Sequence, residues 1–266
     1  MANRIFPATI FLLTALLPAP PGQADTTLRL AGSRDAANAV IQVKGNRVRL
    51  APATRPVYVI YDKTRNLAVY VDTYRKTYTE IDQASLDRYT GMVSAMRGQF
   101  QAQLQLLPPA QRAMLEERMG NLAGIPEGGL PDLDKLHTVA RGKRIVGGFH
   151  CQLHQILEEK QVVGDICLSS AAEAGVSPDD FATLTAMMDF LRHAASTARQ
   201  LTGGLTESTR LLFSGLQGVP VAARDYQNRQ QFIVAGVSRQ PLNSDLFNGY
   251  QGYRRQDLME AIAAGQ

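Results

Sequence analysis

The 266-residue chain holds only two cysteines and four histidines, and it contains no C-x-x-C pair. The missing pair argues against a redox-active thiol. Also absent are H-E-x-x-H, G-x-S-x-G, G-x-x-x-x-G-K-[ST] and G-x-G-x-x-G, so no zinc-protease, nucleophile-elbow, P-loop or dinucleotide signature is present. Ser214 sits in "LLFSGLQG", but Leu212 occupies the place where an elbow needs glycine. His137 and His193 have no companion acid or nucleophile at a recognisable spacing. No catalytic residue is therefore nominated, and the chain reads as a non-enzyme without cofactor. The formal net charge of +4 comes from scattered basic residues such as Arg47, Arg49, Arg55, Lys63, Arg65, Arg75 and Lys76. They lack the clustering and aromatic interleaving of nucleic-acid modules and read as a solvated surface. No internal repeat or low-complexity tract occurs.

One apolar run exists, at the start. In "MANRIFPATIFLLTALLPAPPGQADT", Arg4 precedes apolar residues Ile5 to Leu17, and Pro18, Pro20 and Pro21 follow. Gly22 and Ala24 suit the −3 and −1 positions of a signal peptidase, so residues 1–24 are expected to be a signal peptide cleaved after Ala24. The run is shorter than the ~20 residues needed to cross a bilayer, and no later stretch is long and apolar enough. No cysteine near the cleavage point could carry a lipid. Removing 24 of 266 residues would leave 242, which suits a single exported domain over residues 25–266.

From Ala37 to Ile81 the pattern is strand-like. "ANAVIQV", "NRVRLAP", "PVYVIYD", "LAVYVDT" and "KTYTEID" are β-branched and aromatic runs joined by short turns, which demand antiparallel neighbours. Both strand faces are partly apolar, so each needs cover. The period then becomes helical. Leu86, Tyr89, Val93, Met96, Phe100, Leu104 and Leu107 form one stripe, and Pro109 can open a second helix through Met114, Leu115, Met119 and Leu122. A helical hairpin insertion at about 84–122 follows. Strands resume with "HTVARGKRIVGGFHCQLHQI" and "VVGDICLSS". Ser177-Pro178-Asp179-Asp180 then marks a helix start, with Phe181, Leu184, Met188, Leu191, Ala195 and Ala198 as its stripe. "GVPVAARDY" and "QQFIVAGVS" return to strands. The expected architecture is α+β: an antiparallel sheet of about eight strands, with helices near 84–106, 109–121 and 178–201 packed on one face.

"GGFHCQLHQI" places Cys151 between His150 and His154. Four residues along a strand separate those histidines by ~13 Å, too far to chelate one ion. If the chain turns at Glu159, Gln155 faces Val163, Leu153 faces Asp165 and Cys151 faces Cys167. In an exported chain with only two cysteines, a Cys151–Cys167 disulfide is then the expected state.

Six methionines, Met92, Met96, Met114, Met119, Met187 and Met188, fall in the three helical segments. Helix–sheet packing accounts for them. Thioethers also suit adaptable apolar ligands, and Met188 with His193 leaves a soft-metal role open. The signal peptide, the meander "VIYD…AVYVD…KTYTEID", the paired cysteine strands, the helix, and the close "GVPVAARDY…FIVAGVSRQPLNSDLFNGYQGY" together resemble an uncharacterised family of exported bacterial proteins distantly related to periplasmic lipoprotein carriers (Lol-type). That resemblance spans about residues 37–253. It implies a periplasmic protein with an incomplete antiparallel barrel whose helices close an apolar concave face. The expected function is non-enzymatic binding of a lipid, acyl chain or lipoprotein, with periplasmic metal handling or envelope stress as the alternative. Val57, Val59, Tyr61, Val69, Val71, Met96, Phe100, Leu184 and Met188 are the residues expected nearest the groove.

Overall fold

The computed structural model describes residues 25–32, 38–108, 111, 136–202, 217–226 and 229–265. Six strands come first: β1 (Thr26–Gly32), β2 (Ala39–Lys44), β3 (Arg47–Pro52), β4 (Val57–Asp62), β5 (Leu67–Asp72) and β6 (Thr77–Ile81). After helix α1 (Gln83–Gln105) come β7 (Leu136–Val146), β8 (Phe149–Glu158) and β9 (Gln161–Ser169). Helix α2 (Pro178–Thr202) precedes β10 (Val219–Asp225) and β11 (Gln230–Ser238). A 3-10 turn (Ser244–Phe247), β12 (Arg254–Gln256) and α3 (Leu258–Gly265) end the described chain.

All twelve strands join one open sheet in the order β12-β6-β5-β4-β3-β2-β1-β11-β10-β9-β8-β7. The α+β class expected from the patterns holds, but about eight strands become twelve, and the sheet is mixed. β12 runs parallel to β6, with Arg254 opposite Thr77 and Gln256 opposite Thr79. Its three residues, Arg-Arg-Gln, offer no hydrophobic alternation to read. The segment before "VVGDICLSS" is two strands, because Gly147 and Gly148 turn it back with φ of 59° and 87°. Consecutive positive φ values make the tight hairpin turn whose twist matches the strands. A Cβ on Gly147 would also lie 3.0 Å from the Val234 carbonyl oxygen. β1 pairs with β11 and so joins the two meanders.

The β8–β9 register differs from the simple fold-back about Glu159. Glu158 faces Gln161 around a two-residue turn, and the register then shifts between Ile156 and Leu157, leaving Val163 as an extra residue. Gln155 therefore faces Asp165 rather than Val163, and Leu153 faces Cys167 rather than Asp165. Cys151 and Cys167 are diagonal neighbours on one face, not opposed residues. They still form the disulfide, with Cα atoms 5.5 Å apart, inside the range such a bridge spans.

Helix α2 begins where the sequence indicates. The Asp180 N–H donates to the Ser177 hydroxyl at 3.1 Å, and Asp179 and Asp180 lie in the first turn. Asp180 does more than favour the helix end. Its Oδ2 accepts the hydroxyl of fully buried Thr26 at 2.6 Å, tying the helix to β1. Asp180→Ala should cost about 1–3 kcal/mol by leaving that buried hydroxyl unpaired. Asp179→Ala, at an exposed position, should cost under about 0.5 kcal/mol. Urea denaturation of the two variants checks this, and equal losses would contradict it.

Helix α1 starts with a capping box. Asp82 accepts from the Ser85 N–H at 2.8 Å, and the Asp82 N–H donates to the Ser85 hydroxyl at 2.9 Å. Leu86, Tyr89 and Leu104 of its expected stripe are buried. Val93, Met96 and Phe100 lie on α1 with side chains outside the described residues, and so does almost all of the second helix expected at 109–121. α1 packs on α2, which packs on β2 and β3. No described helix is long and apolar enough to cross a membrane.

Candidate functional site

Strand alternation sorts the core by face. On the face under α2, Leu184, Met187 and Phe190 meet Leu28, Val43, Val48 and Tyr61. The Tyr61 ring lies 5.4 Å from that of Phe190, and its hydroxyl donates to Asn66 Oδ1 at 3.0 Å. Burial raises the Tyr61 pKa, with Asp189 and Asp62 adding to the rise, so it serves as a neutral phenol. On the opposite face, the β4–β5 part is covered by the C-terminal segment. Phe247, with Leu242, Leu246, Tyr250 and Tyr253, packs on Tyr58, Ile60, Leu67, Val69 and Val71.

The expected groove residues therefore divide. Val59 and Met188 are half-buried against the α2 cluster, where Tyr61 and Leu184 are buried. Val69 and Val71 pack on the other side, because β4–β5 pairing sets Val59 opposite Tyr70 and Tyr61 opposite Ala68. Val57 is half-buried at the start of β4, opposite Asp72. The side chains of Met96 and Phe100 are outside the described residues. Sequence alternation could have separated Val69 and Val71 from Tyr61 only with the β4–β5 register in hand.

Among the described residues, the α2 face carries apolar side chains that are only half-buried. Leu30 and Ile41 on β1 and β2, and Val146, Phe149 and Leu153 on β7 and β8, pack against its buried cluster. All five are half-buried. Cys151 and Cys167, both buried, lie within this same cluster, so the disulfide braces the β8–β9 end of the face. His150 and His154 are four positions apart on β8, opposite Ile145 and Ala140. Among the described residues, no three of His, Cys, Asp and Glu gather as a metal-holding group.

A second feature, which the sequence reading did not single out, lies on the other face. A pocket of about 520 Å³ opens between two hairpin turns and the 3-10 turn. Lys44, Asn46 and Arg47 line it from the β2–β3 hairpin, Asp62, Thr64 and Arg65 from β4–β5, and Ser244, Phe247 and Asn248 from the C-terminal segment. Asp62 is occupied internally. Its Oδ1 accepts from the Thr64 and Arg65 N–H groups at 3.0 and 3.2 Å, and its Oδ2 lies 3.3 Å from Arg47 Nε. Arg47 also donates from Nη1 to Asn248 Oδ1 at 2.9 Å. Lys44 Nζ donates to Asp25 Oδ2 and to the Leu242 carbonyl, both at 2.9 Å. Nearby, Tyr78 and Tyr250 pack with ring centroids 5.0 Å apart. Burial, then Glu80, raises the Tyr250 pKa, so this phenol too stays neutral.

No family model matches the chain, and no curated protein matches it. Among solved structures, PNGF-II in a C2 crystal form is similar over 88% of this chain and 31% of that one, at 6% identity and a TM-score of 0.39. This chain thus spans 31% of that protein's length, and the likeness carries no argument here.

Proposed function

We propose that the protein is a periplasmic, non-enzymatic binding or carrier protein for an apolar ligand such as a lipid, an acyl chain or a lipoprotein, in the manner of Lol-type carriers. The observation that supports this reading is the set of half-buried apolar side chains on the sheet face that α2 packs against. Leu30, Ile41, Val146, Phe149 and Leu153 each pack against the buried cluster while staying half-buried, so they are not isolated surface residues. Contiguous apolar surface of this kind marks ligand grooves and interaction sites in exported and cytosolic proteins alike. Met188, half-buried on α2, supplies an adaptable thioether where a chain of variable shape would lie. Residues 1–24 act as the export signal in this reading.

A neutral naphthylamine probe, which carries no acidic group, tests the apolar strip. It should bind saturably, and Met188→Asp and Phe149→Asp should each weaken it about tenfold, since a carboxylate placed in apolar surroundings opposes binding. Arg75→Ala, at an exposed turn, should change it less than twofold. Circular dichroism verifies that the variants stay folded. Absence of saturable binding to the wild-type protein would refute the reading.

A further inference from the structure

The pocket on the face opposite α2 points to a second ligand class. We infer that it binds a small molecule bearing an oxyanion, a phosphate or a carboxylate, held by Arg65 and Arg47. Its lining carries three cations, Lys44, Arg47 and Arg65, against one carboxylate, Asp62. That carboxylate accepts two backbone N–H groups on Oδ1 and pairs with Arg47 through Oδ2. Asp62 thus orients Arg47 and shapes the turn that presents Arg65, and its charge is offset within the lining by Arg47. Asn248 fixes the other side of the Arg47 guanidinium. A planar fork anchored on two sides is preorganised for an oxyanion, because its orientation is set before binding.

Arg65 is the less committed cation. Its contact is with Glu80 at 3.6 Å, beyond hydrogen-bond length, and Glu80 is held at 2.7 Å by Arg255. Lys44 is tied to Asp25, whose side chain is nearly buried, so it contributes charge more than direct contact. Asp245, in the same 3-10 turn as Ser244, accepts from the Asn243 amide at 3.3 Å. The hydroxyls of Thr64 and Ser244 add neutral donors on the rim. At about 520 Å³ the space exceeds what one inorganic anion fills and falls within the range of small-molecule sites. Phe247 lies at the edge of the lining, its ring held in the core beneath.

Titration calorimetry of the full chain with inorganic phosphate and with citrate, each at ~0.15 M salt, tests the site. At least one should bind saturably, and the tighter of the two identifies the oxyanion. Arg65→Ala should weaken that binding about tenfold, and Ser244→Ala about threefold. Arg75→Ala, equally basic but outside the pocket, should leave it within twofold. No saturable binding of either anion would overturn the inference, and so would equal losses from Arg65→Ala and Arg75→Ala. The neutral probe is indifferent to Arg65, so failure here and failure of the apolar strip are separately visible.

Discussion

Phe190→Ala is expected to destabilise the protein by about 3–5 kcal/mol, the range for removing a large aromatic from a packed core. Phe190 is 6% exposed and lies among Leu184, Met187 and Tyr61. Its ring meets Tyr61 at 5.4 Å with planes inclined by 40°, a tilted aromatic contact, which adds roughly 0.5–1.5 kcal/mol beyond area burial. Among the described helices, α2 is the one that packs on β2 and β3, so the loss falls on the contact that joins helix to sheet. Leu106→Ala is the control. That residue is 86% exposed, and the change should cost under about 0.5 kcal/mol. Urea midpoints with unchanged m-values provide the measurement. A loss below about 1.5 kcal/mol for Phe190→Ala would mean that α2 does not clamp the sheet.

Replacing both cysteines, Cys151→Ala with Cys167→Ala, should cost about 2–3 kcal/mol. The bridge closes a loop between positions 16 apart, for which the unfolded-chain constraint is worth up to ~3 kcal/mol. The value should fall toward the lower end because the two-residue turn at Glu159-Lys160 already brings β8 and β9 together. Both sulfurs are buried in the α2-face cluster, so alanine leaves only small voids. Alkylation of the denatured, unreduced protein should label no thiol. Labelling of two cysteines, or a reduced protein with an unchanged urea midpoint, would contradict the staple.

The two effects bear on the same region from opposite ends. Phe190 anchors the helix over β2, β3 and β4, and the disulfide secures β8 to β9 where Phe149 and Leu153 remain half-buried. Under the proposed function, stiffness at both ends keeps the apolar strip between them from closing by collapse. The pocket on the far face is built from hairpin turns and the segment after β11.

Local chemistry determined the elements. Alternating β-branched runs marked β2 to β6, a serine cap followed by proline marked the start of α2 at Pro178, and the period change after Ile81 marked α1. Two cysteines in the whole chain left a single intramolecular pairing. These features depend on residues within a few positions of one another, so the sequence alone carries them. Tertiary structure decided the rest. The β1–β11 pairing joins residues about 200 positions apart through backbone hydrogen bonds, which are the same for any side chains. The parallel β12–β6 edge has no periodic signature, because three residues are too few to show one. The two-residue turn at Glu159-Lys160 and the extra residue at Val163 each move the register by one, and together they shift the cysteines from opposed to diagonal without leaving a mark in the apolar run. The division of Val59 and Tyr61 from Val69 and Val71, and the pocket built from two turns and residues 244–248, exist only once strands are in register. A side chain's face is a property of the paired strand, whereas its tendency to lie in a strand belongs to the residue itself.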